Sequence, residues 1–332
     1  MIIDLHAHVV PPRLADALRR RDTAPRISGN GEGRAEVYHM PDGVVPFSVA
    51  FTDIATRIGF LDRLGIDVQL LSLPGLFGID YLPADQSAPL VRAFNDDLSA
   101  QCRSYPTRLL GLAALPLADI AASVLELRRA VDSLGLIGAI LPNNAFLSVS
   151  GAQRLAPLFA YAQEKGLHLF IHPGWRSADY PVAGHAGSEP VGLRVPRRAL
   201  DTQHHVAQAM VTLLYSDFLD AYPDITLHMA NLGGTFPMVV ERMDHTVLTR
   251  FPGAELPSSK ARRIIVDCSS LGGRAIECAA AFYGADHIVL GTDTPIFSAE
   301  WTLNEINSSS LSLAEKDGIL AGTAKQLLKK WL

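Results

Sequence analysis

Two histidines two positions apart, His6 and His8, close the apolar run Ile2-Ile3-Asp4-Leu5-His6-Ala7-His8. Side chains at that spacing leave a strand on the same face, so both imidazoles point one way. Neutral imidazole is the commonest protein ligand for zinc and similar divalent ions. Two later apolar runs also end in polar residues, Leu169-Phe170-Ile171-His172 and Val289-Leu290-Gly291-Thr292-Asp293. Taken singly, His172 or Asp293 reads as a hydrogen-bonded core residue. Together, His6, His8, His172 and Asp293 offer three nitrogens and a carboxylate oxygen. That set suits Zn²⁺ first and Mn²⁺ or Fe²⁺ as well, with room for a water or a substrate oxygen.

These residues need elements that bring them together. Eight short β-branched or aliphatic runs alternate with amphipathic stretches: Ile2–His8, Val68–Leu73, Leu109–Leu115, Leu136–Leu141, Leu167–His172, Ile225–Ala230, Ile264–Cys268 and His287–Asp293. Helical patterns fall at Ala88–Tyr105, Ile120–Leu134, Ala152–Lys165 and Thr202–Ala221. Asp119 or Ala118 starts one helix, and Gly135 and Gly166 stand where C-terminal glycines belong. Eight parallel β/α units imply a closed (β/α)8 barrel of the TIM type, an α/β fold. A doubly wound open sheet is disfavoured because no Gly-x-Gly-x-x-Gly turn follows the first strand. Barrel sites collect at the C-terminal ends of strands, where all four candidate ligands lie. Residues 11–53 and 175–198 do not fit the repeat and read as loop insertions over that mouth. The chain reads as one domain, 1–332.

Composition narrows the function classes. Hydrophobic residues make up 48% and charged residues 19% of 332, which fits a globular enzyme with a large core. A net charge of −5 gives no electrostatic case for nucleic acid or an anionic membrane surface. The groups Arg19-Arg20-Arg21 and Arg197-Arg198 read as solvated faces. Three cysteines, Cys102, Cys268 and Cys278, lack ligand-like spacing and read as small buried hydrophobes of a reducing compartment. With no signal-like or membrane-spanning run, a cytoplasmic enzyme is expected.

Across nearly its whole length the chain resembles the amidohydrolase superfamily, in the branch of aminocarboxymuconate-semialdehyde decarboxylase and γ-resorcylate decarboxylase. The resemblance is carried by Asp4-Leu5-His6-Ala7-His8, Asn95-Asp96-Asp97-Leu98, Tyr105-Pro106-Thr107-Arg108 and Ala114-Leu115-Pro116-Leu117. His172-Pro173, Tyr222-Pro223-Asp224-Ile225, Gly233-Gly234-Thr235-Phe236-Pro237 and Gly291-Thr292-Asp293-Thr294-Pro295 complete it. It implies that His6, His8, His172 and Asp293 hold one divalent metal, in agreement with the reading of the residues themselves. It also implies a homodimer.

One departure from the family matters. Its members usually place a proton-handling histidine directly before a Leu/Gly-Gly-Gly turn, and here Asn231 stands there, ahead of Leu232-Gly233-Gly234. Asparagine donates and accepts hydrogen bonds but takes no proton near neutral pH. His205 falls where relatives carry a glutamate near a helix N-terminus, with His204 adjacent. A helix N-terminus would keep such a histidine neutral and basic. His228 is a third candidate, set against a buried hydrogen-bonded histidine. Arg242 and Arg250 match arginines that relatives send to a substrate carboxylate, in some cases across a dimer interface. A guanidinium fork suits that task. Trp175 and Tyr180 would wall an aromatic or dienoic substrate.

The leading expectation is therefore a metal-dependent, non-oxidative decarboxylase of an aromatic or unsaturated carboxylic acid. Asp293 would manage the proton delivered to carbon, Asn231 would orient water or substrate, and Arg242 would steer the carboxylate. The alternative is a metal-dependent hydrolase or hydratase acting on a C–C, C–N, lactone or double bond. A catalytically silent metal-binding scaffold is the third reading.

Overall fold

The computed structural model describes residues 1–29, 35–41, 43–175 and 191–332. Among them run β1 (Ile3–His8), β2 (Arg26–Ser28), β3 (Val37–Met40), β4 (Gly43–Pro46), β5 (Val68–Ser72) and β6 (Leu109–Gly111). They continue with β7 (Gly138–Pro142), β8 (His168–His172), β9 (Thr226–Met229), β10 (Ile265–Asp267) and β11 (Ile288–Val289). Each of the eight runs read from the sequence overlaps one parallel strand, and β7 runs one residue past its run, to Pro142.

Two parallel sheets, β1-β5-β6 and β11-β10-β9-β8-β7, are joined at both seams. At one seam Ala113 bridges Ala139, with Ala113 N donating to Gly138 O at 2.9 Å. At the other Ala7 bridges Thr294, and Leu5 N donates to Leu290 O at 2.9 Å. The ring of strands is closed, as a (β/α)8 barrel requires.

Two buried clusters show the layering. Ile3, Leu5, Val68, Leu70, Ile140, Phe170, Ala230 and Val289 pack together inside the ring, joined by Ala321, Ala324 and Leu328 of the C-terminal segment. A larger cluster lies between strands and helices and includes Leu14, Leu61, Phe94, Leu127, Leu158, Met210 and Ile276. β1 carries a bulge: Asp4 pairs Gln69 while Ala7 pairs Leu71. The extra residue resets the pleat. Asp4 accepts from Gln69 Nε2 (2.8 Å), and Gln69 Oε1 accepts from Arg57 of helix Ile54–Leu64 (2.9 Å). Asp4 therefore faces the helices, whereas His6 and His8 face inward.

Helix ends follow the sequence chemistry. Asp119 caps Ile120–Asp132 by accepting from Ala122 N at 3.0 Å, a contact of about 1 kcal/mol. Gly166 ends Ala156–Lys165 with φ +57°, a conformation glycine adopts without strain. The helix expected over Ala88–Tyr105 spans Ala84–Ser104, and that over Ala152–Lys165 is split into Val149–Arg154 and Ala156–Lys165.

Three expectations need correction. Residues 11–53 are not a plain loop: they hold helix Pro12–Arg19 and the antiparallel sheet β2-β3-β4. Strands of three or four residues in a Gly- and Pro-rich stretch are too short to show a period. The helix expected from Thr202 begins at Val191, so part of 175–198 is helical; residues 176–190, including Tyr180, lie outside the described residues. Of the cysteines only Cys268 is buried; Cys102 and Cys278 are half-buried. Among the described residues no helix is long and apolar enough to cross a membrane.

Candidate metal centre

The ends of β1 and β8 and the segment after β11 bring His6, His8, His172 and Asp293 into one buried cluster, with ligating atoms within 4.8 Å of one another. His8 Nε2 lies 3.2 Å from His6 Nε2 and 3.2 Å from His172 Nε2. Ligands about 2.0–2.1 Å from a shared tetrahedral ion would stand about 3.3 Å apart. Asp293 Oδ1 approaches His8 Nε2 to 3.0 Å and His6 Nε2 to 3.5 Å. That oxygen is buried and accepts no well-formed hydrogen bond among the described residues. A buried carboxylate oxygen without a donor is costly unless a cation completes it.

Each imidazole is held from behind. His6 Nδ1 donates to Asp267 Oδ2 at 2.9 Å, and His172 Nδ1 to its neighbour Pro173 O at 2.8 Å. Ser72 Oγ donates to Ala7 O (3.3 Å) and so accepts from His8 Nδ1 (3.1 Å). Nδ1 is engaged in all three rings, which leaves Nε2 turned inward, the arrangement of metal-binding histidines. Two glycines let the backbones close in. A Cβ at Gly75 would stand 2.8 Å from His172 Nδ1 and 2.6 Å from Pro173 O, and one at Gly291 2.8 Å from His6 Cβ.

The electrostatics match a cation site. Burial alone lowers His6, but Asp267 and then Asp293 outweigh it and raise His6 to about 10. Burial, reinforced by the charge of His6, keeps His8 and His172 below the usual imidazole range. Burial pushes Asp293 up, but His6 and His8 hold it below the usual carboxylate range. A proton at His6 is what a divalent cation would displace. Donor set, spacing and the orphaned oxygen all fit such an ion.

Asp293 and Asn231 share a backbone feature, φ +57° in the left-handed region, which Asp and Asn tolerate best among residues with a side chain. Leu232 follows at φ +54°, a costlier conformation for its type. Asn231 N donates to Asp267 Oδ1 at 3.2 Å, and Ser269 Oγ donates to Asn231 Oδ1 at 2.6 Å. Asn231 is thereby tied to the carboxylate behind His6. Trp175 is half-buried, its indole N–H donating to Leu76 O at 3.1 Å in the loop that follows β5.

Other expected residues sit apart from this cluster. His204 is exposed and His205 half-buried, both well inside helix Val191–Tyr215. The expectation of a helix N-terminus is therefore wrong, and the macrodipole, which acts within the first turn, supplies no reason for a basic histidine there. Their helix does pack on the Asn231–Gly234 turn, where Thr235 N approaches Gln203 O at 3.4 Å. Arg242 and Arg250 are exposed on helix Phe236–Arg250 and make no ion pair among the described residues. His228 is fully buried and donates from Nε2 to Asp267 Oδ2 at 2.9 Å. Sequence reasoning missed Asp267 and Ser269. Asp267 lies near the end of an apolar strand, the same signal that marked Asp293.

A family model described as Amidohydrolase matches residues 3–330. The 2-amino-3-carboxymuconate-6-semialdehyde decarboxylase of Dictyostelium discoideum is 25% identical over 341 residues, covering 98% of this chain and 91% of the relative. The γ-resorcylate decarboxylase of Rhizobium radiobacter is 25% identical over 300 residues, 82% of this chain and 86% of its own. A solved 5-carboxyvanillate decarboxylase from Novosphingobium aromaticivorans, complexed with manganese and 4-hydroxy-3-methoxy-5-nitrobenzoic acid, superposes with a TM-score of 0.75. It is 19% identical, with 99% of this chain and 96% of that chain covered, a likeness that speaks for the fold.

Proposed function

We propose a reaction from one premise: the chain belongs to the amidohydrolase family. The reaction is the metal-dependent, non-oxidative decarboxylation of a small aromatic or unsaturated carboxylic acid. The observation that carries it is the buried His6–His8–His172–Asp293 cluster, and the names of the related decarboxylases support the choice of chemistry. The ligand set suits Zn²⁺ first and Mn²⁺ or Fe²⁺ as well, and the manganese in the solved relative supports keeping Mn²⁺ beside zinc. Bound there, a divalent ion would act as a Lewis acid toward a carboxylate or neighbouring hydroxyl oxygen of the substrate.

The chain's own residues would do the rest. In the overall change the bond from carbon to the carboxyl group breaks, its electron pair stays on that carbon, and CO₂ leaves. The acid's own proton then replaces the carboxyl group, so that atoms balance without a co-reactant. Asp293, held anionic, is the group we assign to take that proton and return it to carbon. Asn231, its Oδ1 occupied by Ser269, would present its amide N–H groups to substrate oxygen atoms. Trp175 would stand at the mouth as an apolar wall. His205 and His204 would serve substrate or proton transfer only from the side of their helix that packs on the Asn231 turn.

The protein would work as a homodimer. Leu193, Val195 and Leu200 on one helix and Met238, Val239 and Leu248 on its neighbour expose apolar surface of the kind that subunit contacts cover. Across such an interface Arg242, and Arg250 beyond it, would reach a partner's substrate carboxylate.

Incubation with hydroxybenzoates and carboxymuconate analogues in the presence of Zn²⁺ or Mn²⁺ tests the reading. CO₂ released in step with substrate loss is the expected result. Oxygen from labelled water in the product, with no CO₂, would replace it by the hydrolase or hydratase alternative, for which the missing base at Asn231 leaves room.

A further inference from the structure

Inside the barrel, behind the metal cluster, lie two histidines that the proposed reaction does not use. His228 Nε2 meets Asp267 Oδ2 at 2.9 Å, the same oxygen that accepts from His6 Nδ1. His228 Nδ1 lies 3.2 Å from His168 Nε2. His168 Nδ1 is buried and has no hydrogen-bond partner among the described residues. All four residues are fully buried.

The protons in this chain follow by elimination. An ionised carboxylate only accepts, so His6 donates from Nδ1 and His228 from Nε2. Burial keeps His228 and His168 neutral, so His228 Nδ1 is a bare acceptor. His168 must then carry its proton on Nε2, which leaves Nδ1 bare, and Nδ1 is the atom without a partner. Phe170 lies between the rings, stacked on His228 at 4.3 Å and edge-on to His6 at 4.8 Å, and so restrains both. Backbone N–H groups of Asn231 and Ser269 fill Asp267 Oδ1 at 3.2 and 2.9 Å. Among the described residues four donors fix the carboxylate, and His228 supplies the one side-chain donor besides the ligand itself.

We propose that His228 is a positioning residue of the metal centre: through Asp267 it fixes the ring orientation and proton of the ligand His6, while His168 fixes the proton of His228. Groups behind a ligand typically change metal affinity 10- to 100-fold when removed. The inference rests on the metal reading of the cluster and is independent of which reaction the metal serves.

Two polar substitutions separate this role from ordinary core packing. In His228→Gln the amide nitrogen reaches the place of Nε2 and keeps the contact with Asp267. In His228→Asn it reaches only the place of Nδ1 and loses that contact. The full-length protein is titrated with Co²⁺, reading the visible absorption band and competition with a chelator. His228→Asn is expected to bind Co²⁺ about tenfold more weakly with a displaced band, and His228→Gln to stay within about twofold of wild type. His168→Leu is expected to give a smaller loss in the same direction. Wild-type affinity and spectrum in His228→Asn, or equal losses in both variants, overturn the proposal. If His228→Asn does not fold, His228→Gln decides alone: retained affinity supports the proposal and a tenfold loss overturns it. A wild-type protein that takes up no Co²⁺ overturns the metal reading itself.

Discussion

Ser269 Oγ donates to Asn231 Oδ1 across 2.6 Å, fixing which end of the asparagine amide is free. The acceptor is spent on the protein, so the N–H groups are what Asn231 can offer a ligand. This points to an orienting donor and away from a worn-down base. Asn231→His is therefore expected to lower kcat, by roughly 10- to 100-fold, with metal content unchanged. Ser269→Ala should lower kcat less, since the amide stays but loses its fixed orientation. Steady-state kinetics on the best substrate of the panel checks both. A rise in activity for Asn231→His would mark the asparagine as a degraded base.

Purified protein should contain about one divalent ion per chain, and His172→Ala should lose most of it, because three ligands would remain of four. Elemental analysis after dialysis against a chelator reads this directly. Metal retained by the variant at wild-type levels would remove His172 from the ligand set.

Asp80 gives a stability prediction with a definite sign. It is buried, its Oδ1 has no partner among the described residues, and burial raises it from 3.8 to about 7. A raised folded-state value means the stabilising proton is in place below about pH 4 and is lost as pH rises through 7. Asp80→Asn should therefore stabilise the protein at pH 8, by up to about 4 kcal/mol, and should have little effect at pH 4. Thermal denaturation of both proteins across that range measures it. A gain independent of pH would mean that Asp80 stays ionised in the fold.

The subunit proposal rests on exposed apolar side chains, with Met238 at 73% and Phe251 at 64% exposure. Met238→Glu is expected to shift a dimer toward monomer, as read by sedimentation equilibrium. Arg242→Ala should raise KM with little change in oligomeric state. A wild-type monomer with full activity would remove both arginines from the substrate's surroundings.

The sequence by itself determined the architecture and the four candidate ligands. Strand period places His6 and His8 on one face, and barrel topology places strand ends at one mouth, so local patterns sufficed. It could not show which side chains meet behind the ligands. His6 and Asp267 are 261 residues apart, and their contact depends on the closure of the ring, which sets β11 between β1 and β10, and on the bulge in β1. Helix extent was also hidden: His205 looked like a terminal residue because its helix continues back through the irregular stretch to Val191. The three-strand sheet over 26–46 was too short to leave a period. Only the tertiary structure decided how Asn231 is held, because its orientation depends on a hydroxyl from another strand's end, and a hydrogen bond between distant residues leaves no spacing in the chain to read.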